Sequence, residues 1–298
     1  MPSALLPAPT RIGILAKRHL VEATPHLVQI SRWLGERGLE AVFEGETSAL
    51  MPPETSRAVA DRTTIARTAD MVLVLGGDGT LLSMADCIGE AGSRVPMLGV
   101  NFGSLGFLTE VTLPELYPSL ESAIGGGALV EERLMLVSTT TRGGATFARQ
   151  ISLNDTVVTK AARSRMIDLA VWVGDEFMTR VRADGLIVAT PTGSTAYNLA
   201  SGGPIVQPNV DALIVTPIAP HTLTNRPVVI PASAAVRIQP VMTDGDEVFV
   251  TFDGQTAFQL CAGDEVLVER APEPMRLIRP STRSYFQVLR TKLKWGER

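Results

Sequence analysis

Residues 71–80 read Met-Val-Leu-Val-Leu-Gly-Gly-Asp-Gly-Thr. Five apolar residues, two of them β-branched, predict a buried strand, and Leu81, Leu82, Met84 and Ala85 open a helix behind it. Gly76, Gly77 and Gly79 fall at the strand-to-helix turn, where bare backbone lets N–H groups approach an anion at the positive end of the helix dipole. Asp78 sits among them. A carboxylate repels phosphate, so it suits a loop that activates a hydroxyl beside the phosphates rather than one that only cradles them. The bland alternative is a glycine turn whose Asp caps the helix. No G-x-x-x-x-G-K-[ST] occurs, and Leu82 stands where a dinucleotide fingerprint needs its third glycine.

Outward from this loop, the first third alternates strands and helices. Arg11–Ala16, Leu39–Phe43, Met71–Leu75 and Met97–Val100 read as strands. Thr24 caps a helix with Pro25 at its first position, Leu27, Ile30 and Leu34 on one face and Gly38 at its end. The alternation predicts an α/β domain with an open parallel sheet, and ligands of such sheets bind beyond the C-terminal strand ends, where Asp78 falls. Thr112 and Glu115 have capping-box spacing, with Pro118 expected to kink or split the helix that follows.

From about residue 130 the texture becomes short alternating strands. Ile167, Leu169, Val171 and Val173 lead to a Gly174-Asp175 turn, and Val248, Val250 and Phe252 lead to Asp253-Gly254. This half is expected to be a mostly β domain of two packed sheets. The expected division is 1–112, 113–274 and a tail at 275–298, whose end, 281–298, is basic with Tyr285, Phe286, Val288, Leu289 and Leu293 spaced as one helical face that packs back on a neighbour.

Bulk composition narrows the function classes. Hydrophobic content of 45% and charged content of 19% describe a compact protein, and a net charge of −4 argues against nucleic acid as the main partner. Cys87 and Cys261 lie in apolar stretches and are expected to be buried free thiols; His19, His26 and His221 are not spaced as metal ligands. No signal-peptide layout and no membrane-length apolar run is found, so no membrane partner and a cytoplasmic location are expected.

Two further motifs carry chemistry. Asn154-Asp155 interrupts an apolar strand with an amide and a carboxylate, suited to an adenine edge and sugar hydroxyls if a strand end lets both reach a ligand; an ordinary Asn-Asp turn is the alternative. Residues 182–204 set Asp184 before the apolar strand Gly185–Ala189, then Pro191-Thr192-Gly193-Ser194-Thr195-Ala196-Tyr197-Asn198. Small residues, hydroxyls and one aromatic suit a nucleobase pocket, with Ser194 or Thr195 capping a short helix; a plain Ser/Thr loop has the same composition. Neither Ser104 nor Ser194 lies in a nucleophile elbow.

Together these blocks resemble the NAD kinase family. Gly76-Gly77-Asp78-Gly79-Thr80 matches its Gly-Gly-Asp-Gly motif, which lipid kinases of the diacylglycerol type and phosphofructokinases share. Residues 101–108 are similar to its Asn-x-Gly-x-Leu-Gly-Phe passage, and 184–198 to its Asp-Gly…Thr-Pro-x-Gly-Ser/Thr-Thr-Ala-Tyr block. Asn154-Asp155 occupies the family's Asn-Glu position, one methylene shorter at 155, and Asp253-Gly254-Gln255 resembles another short element.

The resemblance implies an α/β domain followed by a β-rich domain, a tail returning to the first, NAD bound between domains, and a homo-oligomer, dimer or tetramer. It implies ATP as donor, with Mg²⁺ or another divalent cation arriving on it. Asp78 would be the base for the 2′-hydroxyl of the adenosine ribose, with Gly76, Gly77, Gly79 and Thr80 as the donor-phosphate loop. NAD contacts would come from Asp78, Gly79, Asn154, Asp155, Arg165, Arg182, Asp184, Thr195, Ala196, Tyr197, Asn198, Leu199, Ala200 and Gln255. An aspartate is a weak base for an alcohol, so positioning and charge neutralisation would carry most of the rate. A lipid or sugar kinase sharing only the glycine loop, and a non-catalytic NAD/NADP-sensing protein, are the competing readings.

Overall fold

The computed structural model describes residues 4–5, 8–103, 105–161, 165–222, 224–243, 245–279 and 283–295. Ser104 of the glycine-rich passage and residues 280–282 and 296–298 of the tail lie outside them. The chain forms two compact units, one of residues 1–132 with 275–298, the other of residues 133–274. The strand Leu129–Arg133 belongs to the sheet of the first unit, so the break falls after Glu132 and the expected division at 112 lies within unit 1.

Unit 1 is α/β. Its sheet runs in the order Ala4–Leu5, Leu129–Arg133, Met275–Arg279, Met97–Asn101, Met71–Gly76, Arg11–Ala16, Glu40–Glu44, Ala58–Ala60, with Val111–Thr112 beside Met97–Asn101. The pairings from Met275–Arg279 through to Ala58–Ala60 are parallel. Every residue of Met71–Gly76 is buried, which is why this strand reads as a continuous apolar run rather than an alternating one. Leu27, Ile30 and Leu34 of the helix Thr24–Gly35 are fully buried against the sheet residues Ile12, Ile14 and Leu73, so cutting one back to alanine costs about 2–5 kcal/mol.

Three local expectations change. Thr24 does not cap its helix: its hydroxyl donates to the Leu50 carbonyl (2.9 Å), and a short 3₁₀ turn, Val21–Ala23, leads in instead. The helix stops at Gly35, and Gly38 (φ +70°) serves the turn that follows. The Thr112–Glu115 capping box forms, but Pro118 neither kinks nor splits the helix Leu116–Ile124, because it lies in the first turn where no ladder bond is lost.

Unit 2 contains two six-stranded antiparallel sheets. One orders Ala145–Ser152, Leu136–Arg142, Glu265–Arg270, Val236–Val241, Ile167–Val173, Glu176–Ala183. The other orders Val228–Pro231, Ala212–Ile218, Gly185–Ala189, Asp155–Lys160, Val248–Phe252, Thr256–Leu260. Their inner faces supply one core, in which Leu169, Val171 and Ile238 of the first sheet meet Val158, Val188 and Val250 of the second. Asp253 (φ +49°), Gly254 (φ +65°) and Gln255 make the three-residue loop that closes the hairpin Val248–Phe252/Thr256–Leu260, with Gln255 N–H donating to the Phe252 carbonyl (2.9 Å).

The cysteines are free, but they are not buried as expected: Cys87 is half-buried and Cys261 exposed. Cys261 lies one residue beyond the edge strand Thr256–Leu260, which accounts for its exposure. The tail packs within unit 1 through the helix Tyr285–Leu293, with Val288 and Leu289 buried, while Phe286, expected on the buried face, is exposed. No helix of the described residues is long and apolar enough to cross a membrane.

Candidate active site

In unit 1, Asp78 is the first residue of the helix Asp78–Glu90, with Gly77 at the N-cap. It does not act as a side-chain cap for that helix. Its carboxylate turns to the segment after Met97–Asn101 instead: Oδ2 accepts from Phe107 N–H (2.8 Å), and Oδ1 accepts from Leu108 N–H (3.1 Å), Thr109 N–H (3.0 Å) and the Thr109 hydroxyl (2.9 Å). Oδ1 is saturated by three donors, whereas Oδ2 accepts one and keeps an acceptor position for a further hydroxyl. Thr109 Oγ1 also accepts from Asn101 Nδ2 (2.9 Å), which ties the Asn-x-Gly stretch of this chain to the carboxylate.

The glycines of the loop divide into two kinds. A Cβ on Gly76 would lie 2.8 Å from Thr80 Oγ1 and 3.0 Å from Lys17 Cβ, so internal packing demands glycine there. A Cβ on Gly77 or Gly79 would meet nothing within 4 Å. The fold itself does not require glycine at these two positions, and their open side is where a ligand can approach the backbone closely. A cleft of about 350 Å³ opens here, lined among others by Lys17, Gly76, Gly77, Asp78, Asn101 and Lys292.

In unit 2, Asn154 and Asp155 stand where the strand Asp155–Lys160 begins, so the alternation that would separate them does not apply. The Asp253 carboxylate grips this turn, accepting from Leu153 N–H (2.8 Å), Asn154 N–H (2.7 Å) and Asp155 N–H (3.0 Å), while Asp253 N–H donates to the Asp155 carbonyl (3.0 Å). The Thr-Pro-Thr-Gly stretch packs on the other side. Thr190 N–H donates to the Asn154 carbonyl (2.9 Å), its hydroxyl to the Leu153 carbonyl (2.6 Å), and a Cβ on Gly193 would strike the Asn154 backbone.

Asp155 is 4% exposed and its carboxyl receives no hydrogen bond among the described residues. Burial, and secondarily the negative charge of Asp253, push it up to about 7. Asp253 is also raised, by burial, against the pull of its three amide donors. A carboxyl left without a partner at a strand end is open to a donor from outside the fold. Thr192, whose buried hydroxyl likewise lacks a partner, lies in the adjoining block.

The other expected residues separate into three groups. Thr195 and Ala196 are half-buried and Tyr197 is 45% exposed, on the 3₁₀ turn Gly193–Thr195 and the short helix Tyr197–Ala200; Leu199 is half-buried and Ala200 exposed. Gln255 is exposed at the turn beside Asp253. All of these adjoin the Asn154–Asp155 end of the sheet.

Asn198 is different. It is fully buried, its Nδ2 donates to the Ser194 and Pro204 carbonyls (both 3.0 Å), and its Oδ1 accepts from the Thr216 hydroxyl (2.7 Å). Its amide is committed first to holding this turn. Nor does Ser194 or Thr195 cap the helix: Ser194 Oγ donates to the Pro191 carbonyl (2.6 Å) and Thr195 Oγ1 to the Thr192 carbonyl (3.4 Å).

Asp184, Arg182 and Arg165 form a third group at the far end. The register pairs Asp155 with Ala189 and Thr159 with Gly185, which places Asp184 roughly 15 Å along the strand from Asp155. Asp184 lies 3.7 Å from Lys160 Nζ. The exposed Arg165 and Arg182 both act on Asp246, whose carboxyl is held below its ordinary range first by the Thr243 N–H and then by these two charges. Sequence reasoning placed Asp253 and Gly106 in motifs without giving either a role, and it missed Lys17 and Lys292; each is tied to the sites by contacts distant in sequence. Among the described residues no three His, Cys, Asp or Glu side chains group as a metal site.

The comparisons with known proteins agree on both units. Residues 12–128 match the ATP-NAD kinase N-terminal domain and residues 153–280 the ATP-NAD kinase C-terminal domain. Proteins named NAD kinase from Geotalea daltonii and Syntrophotalea carbinolica are 45% and 46% identical, each alignment covering 97% of this chain and 99% of the relative. The NAD kinase of Koribacter versatilis is 42% identical over 96% of this chain and 99% of its own.

Among solved structures, yeast NADH kinase complexed with NADH shares the fold at a TM-score of 0.88 with 22% identity, covering 100% of this chain and 93% of that one. An NAD kinase from Archaeoglobus fulgidus in complex with ATP superposes at 0.73 with 24% identity, covering 94% and 99%. With both domain matches in order and relatives aligned over almost the whole length, the chain belongs to the NAD kinase family.

Proposed function

We propose that the protein transfers the γ-phosphoryl group of magnesium-bound ATP to the 2′-hydroxyl of the adenosine ribose of NAD, forming NADP, with Asp78 as the base. The observation that carries the reading is the state of the Asp78 carboxylate: four donors fix its orientation, and Oδ2 keeps an acceptor position beside the open side of Gly77 and Gly79. A carboxylate so held takes a proton from a hydroxyl without rearrangement, while the helix N-terminus offsets the charge that gathers on the phosphates. Magnesium belongs to the nucleotide substrate and screens its phosphates.

Unit 2 supplies the NAD contacts. The buried, unpartnered Asp155 accepts from a ribose hydroxyl, Asn154 offers donor and acceptor to the adenine edge, and the half-exposed Tyr197 ring gives adenine a stacking face beside Thr195 and Ala196. Gln255 adds a polar edge near this end. Asp184, at the far end of the strand, is assigned to the nicotinamide side, with Arg165 and Arg182 to the remaining polar edges. The relatives bearing the name NAD kinase support the acceptor, and the Archaeoglobus fulgidus NAD kinase crystallised with ATP supports the donor.

The test is NADP formation by the purified protein, read with an NADP-specific dehydrogenase. Product that requires NAD, ATP and Mg²⁺ together is the expected result. NAD binding without turnover would favour a sensor, and turnover of lipid or sugar alcohols in place of NAD would replace the acceptor.

A further inference from the structure

We infer that Lys17 and Lys292 are the two cationic groups that hold the donor's phosphate chain over the glycine loop, so that the C-terminal helix completes the donor site. The inference rests on the kinase reading above and assigns residues within it. Both lysines line the cleft that holds Gly76, Gly77 and Asp78. Lys17 follows directly on the strand Arg11–Ala16; its N–H donates to the Leu75 carbonyl (2.8 Å), and the missing side chain of Gly76 is what admits its Cβ, at 3.0 Å from where a Cβ would stand. Lys292 comes from the last turn of Tyr285–Leu293, 214 residues after Asp78 in sequence, and its ammonium lies 5.6 Å from the centroid of Phe107.

Among the described residues neither lysine has an ion-pair partner. Two ammonium groups thus share one cleft with a single lining carboxylate, Asp78, which four donors hold facing the segment after Met97–Asn101. That leaves the cleft a cationic excess beside the glycine backbone, the combination that polyphosphate recognition uses: lysine as a point charge, backbone N–H groups for shape. The Phe107 contact adds a link, because Phe107 N–H is the one donor on Asp78 Oδ2 (2.8 Å). The helix that delivers the phosphate cation also bears on the loop that aims the base.

The experiment uses the full-length protein with Lys17→Met and Lys292→Met, which keep the aliphatic stem and remove the charge, and the Lys→Arg pair as controls. Steady-state constants are measured for ATP and for NAD, and binding of inorganic tripolyphosphate is followed by calorimetry. Each Met variant should raise KM for ATP about tenfold or more and weaken tripolyphosphate by a similar factor, a single charge-assisted contact being of that size. KM for NAD should stay within about twofold, and Arg should restore most of the loss.

Tripolyphosphate affinity and KM for ATP within about twofold of wild type in both Met variants would overturn the assignment, as would a fall in kcat alone at Lys292, which is the mark of a prop for Phe107. Should Lys292→Met fail to fold, Lys17→Met and tripolyphosphate binding to Lys292→Gln decide between the same two outcomes. Lysine-dependent tripolyphosphate binding by a protein that makes no NADP would uphold the cleft assignment and strike the reaction instead.

Discussion

Gly106 stands against Asp78 so closely that any side chain there would run into the Asp78 carboxylate and the Thr109 hydroxyl. The carboxylate is pinned by four donors and cannot step aside without losing them. Gly106→Ala is therefore expected to displace the base rather than unfold the chain. We expect kcat to fall by about 100-fold, as a misplacement near 1 Å does, with KM for NAD little changed. Steady-state kinetics beside a melting curve checks this; wild-type kcat would show that the Asp78 seat is not needed.

Asp253 organises the other site in the same manner, through the amides of Leu153, Asn154 and Asp155. Asp253→Asn keeps a residue that tolerates the left-handed turn but puts an NH₂ against amide donors. Relief of the repulsion with Asp155 works the other way, yet one or more charge-assisted bonds at about 1.5–3 kcal/mol each outweigh it. The net expectation is a loss of about 2 kcal/mol in urea denaturation and a raised KM for NAD.

Asp155 gives the protein a pH dependence of definite sign. Its pKa rises from 3.8 in the unfolded chain to about 7 in the fold, so between those values the native state binds the additional proton. Stability then falls as pH rises through that window, by on the order of 4 kcal/mol from this group. Asp253, raised by burial, slopes the same way, whereas Asp70, Glu115 and Asp264, held low, act below about pH 4.5 with the opposite sign. Urea midpoints from pH 5 to pH 8 should decline in the wild type and decline less in Asp155→Asn.

The tail is tied to unit 1 by ion pairs rather than by its helix alone. Arg279 contacts Glu110 (2.7 Å) and Glu131 (3.0 Å), and Arg283 forks onto Glu115 (2.8 and 2.9 Å) while donating to the Glu110 carbonyl (2.6 Å). Glu110 is almost fully buried, so Arg279→Met takes a charge-assisted partner from it and should cost about 1.5–3 kcal/mol. Chemical denaturation measures the cost, and pairing the change with Glu110→Met should recover most of it.

Much of this arrangement is legible in the residues themselves. The apolar run before Gly76 declares a buried parallel strand, the Gly174 and Asp253-Gly254 turns declare hairpins, and the glycine loop with its inserted Asp points to phosphate chemistry. What is not legible is long-range. Nothing at position 106 says that it must clear a carboxylate donated from 78, and nothing in the basic tail says that Lys292 returns to the same cleft. Nor does the sequence show that the Asn198 amide is shared with the Ser194, Pro204 and Thr216 groups, because an amide in a polar loop suits a ligand as well as it suits them. Local pattern sets the elements, and only tertiary contact reveals which polar groups are left over.

The most direct measurement is Asp78→Asn. Asparagine keeps the size of the side chain but removes the charge and the base. With a purified variant whose melting temperature and calorimetric affinities for NAD and ATP match the wild type, NADP formation should fall by at least about 100-fold, the scale of a lost general base. Turnover close to wild type in that variant would contradict the assignment of Asp78 as the base on which the proposed reaction rests.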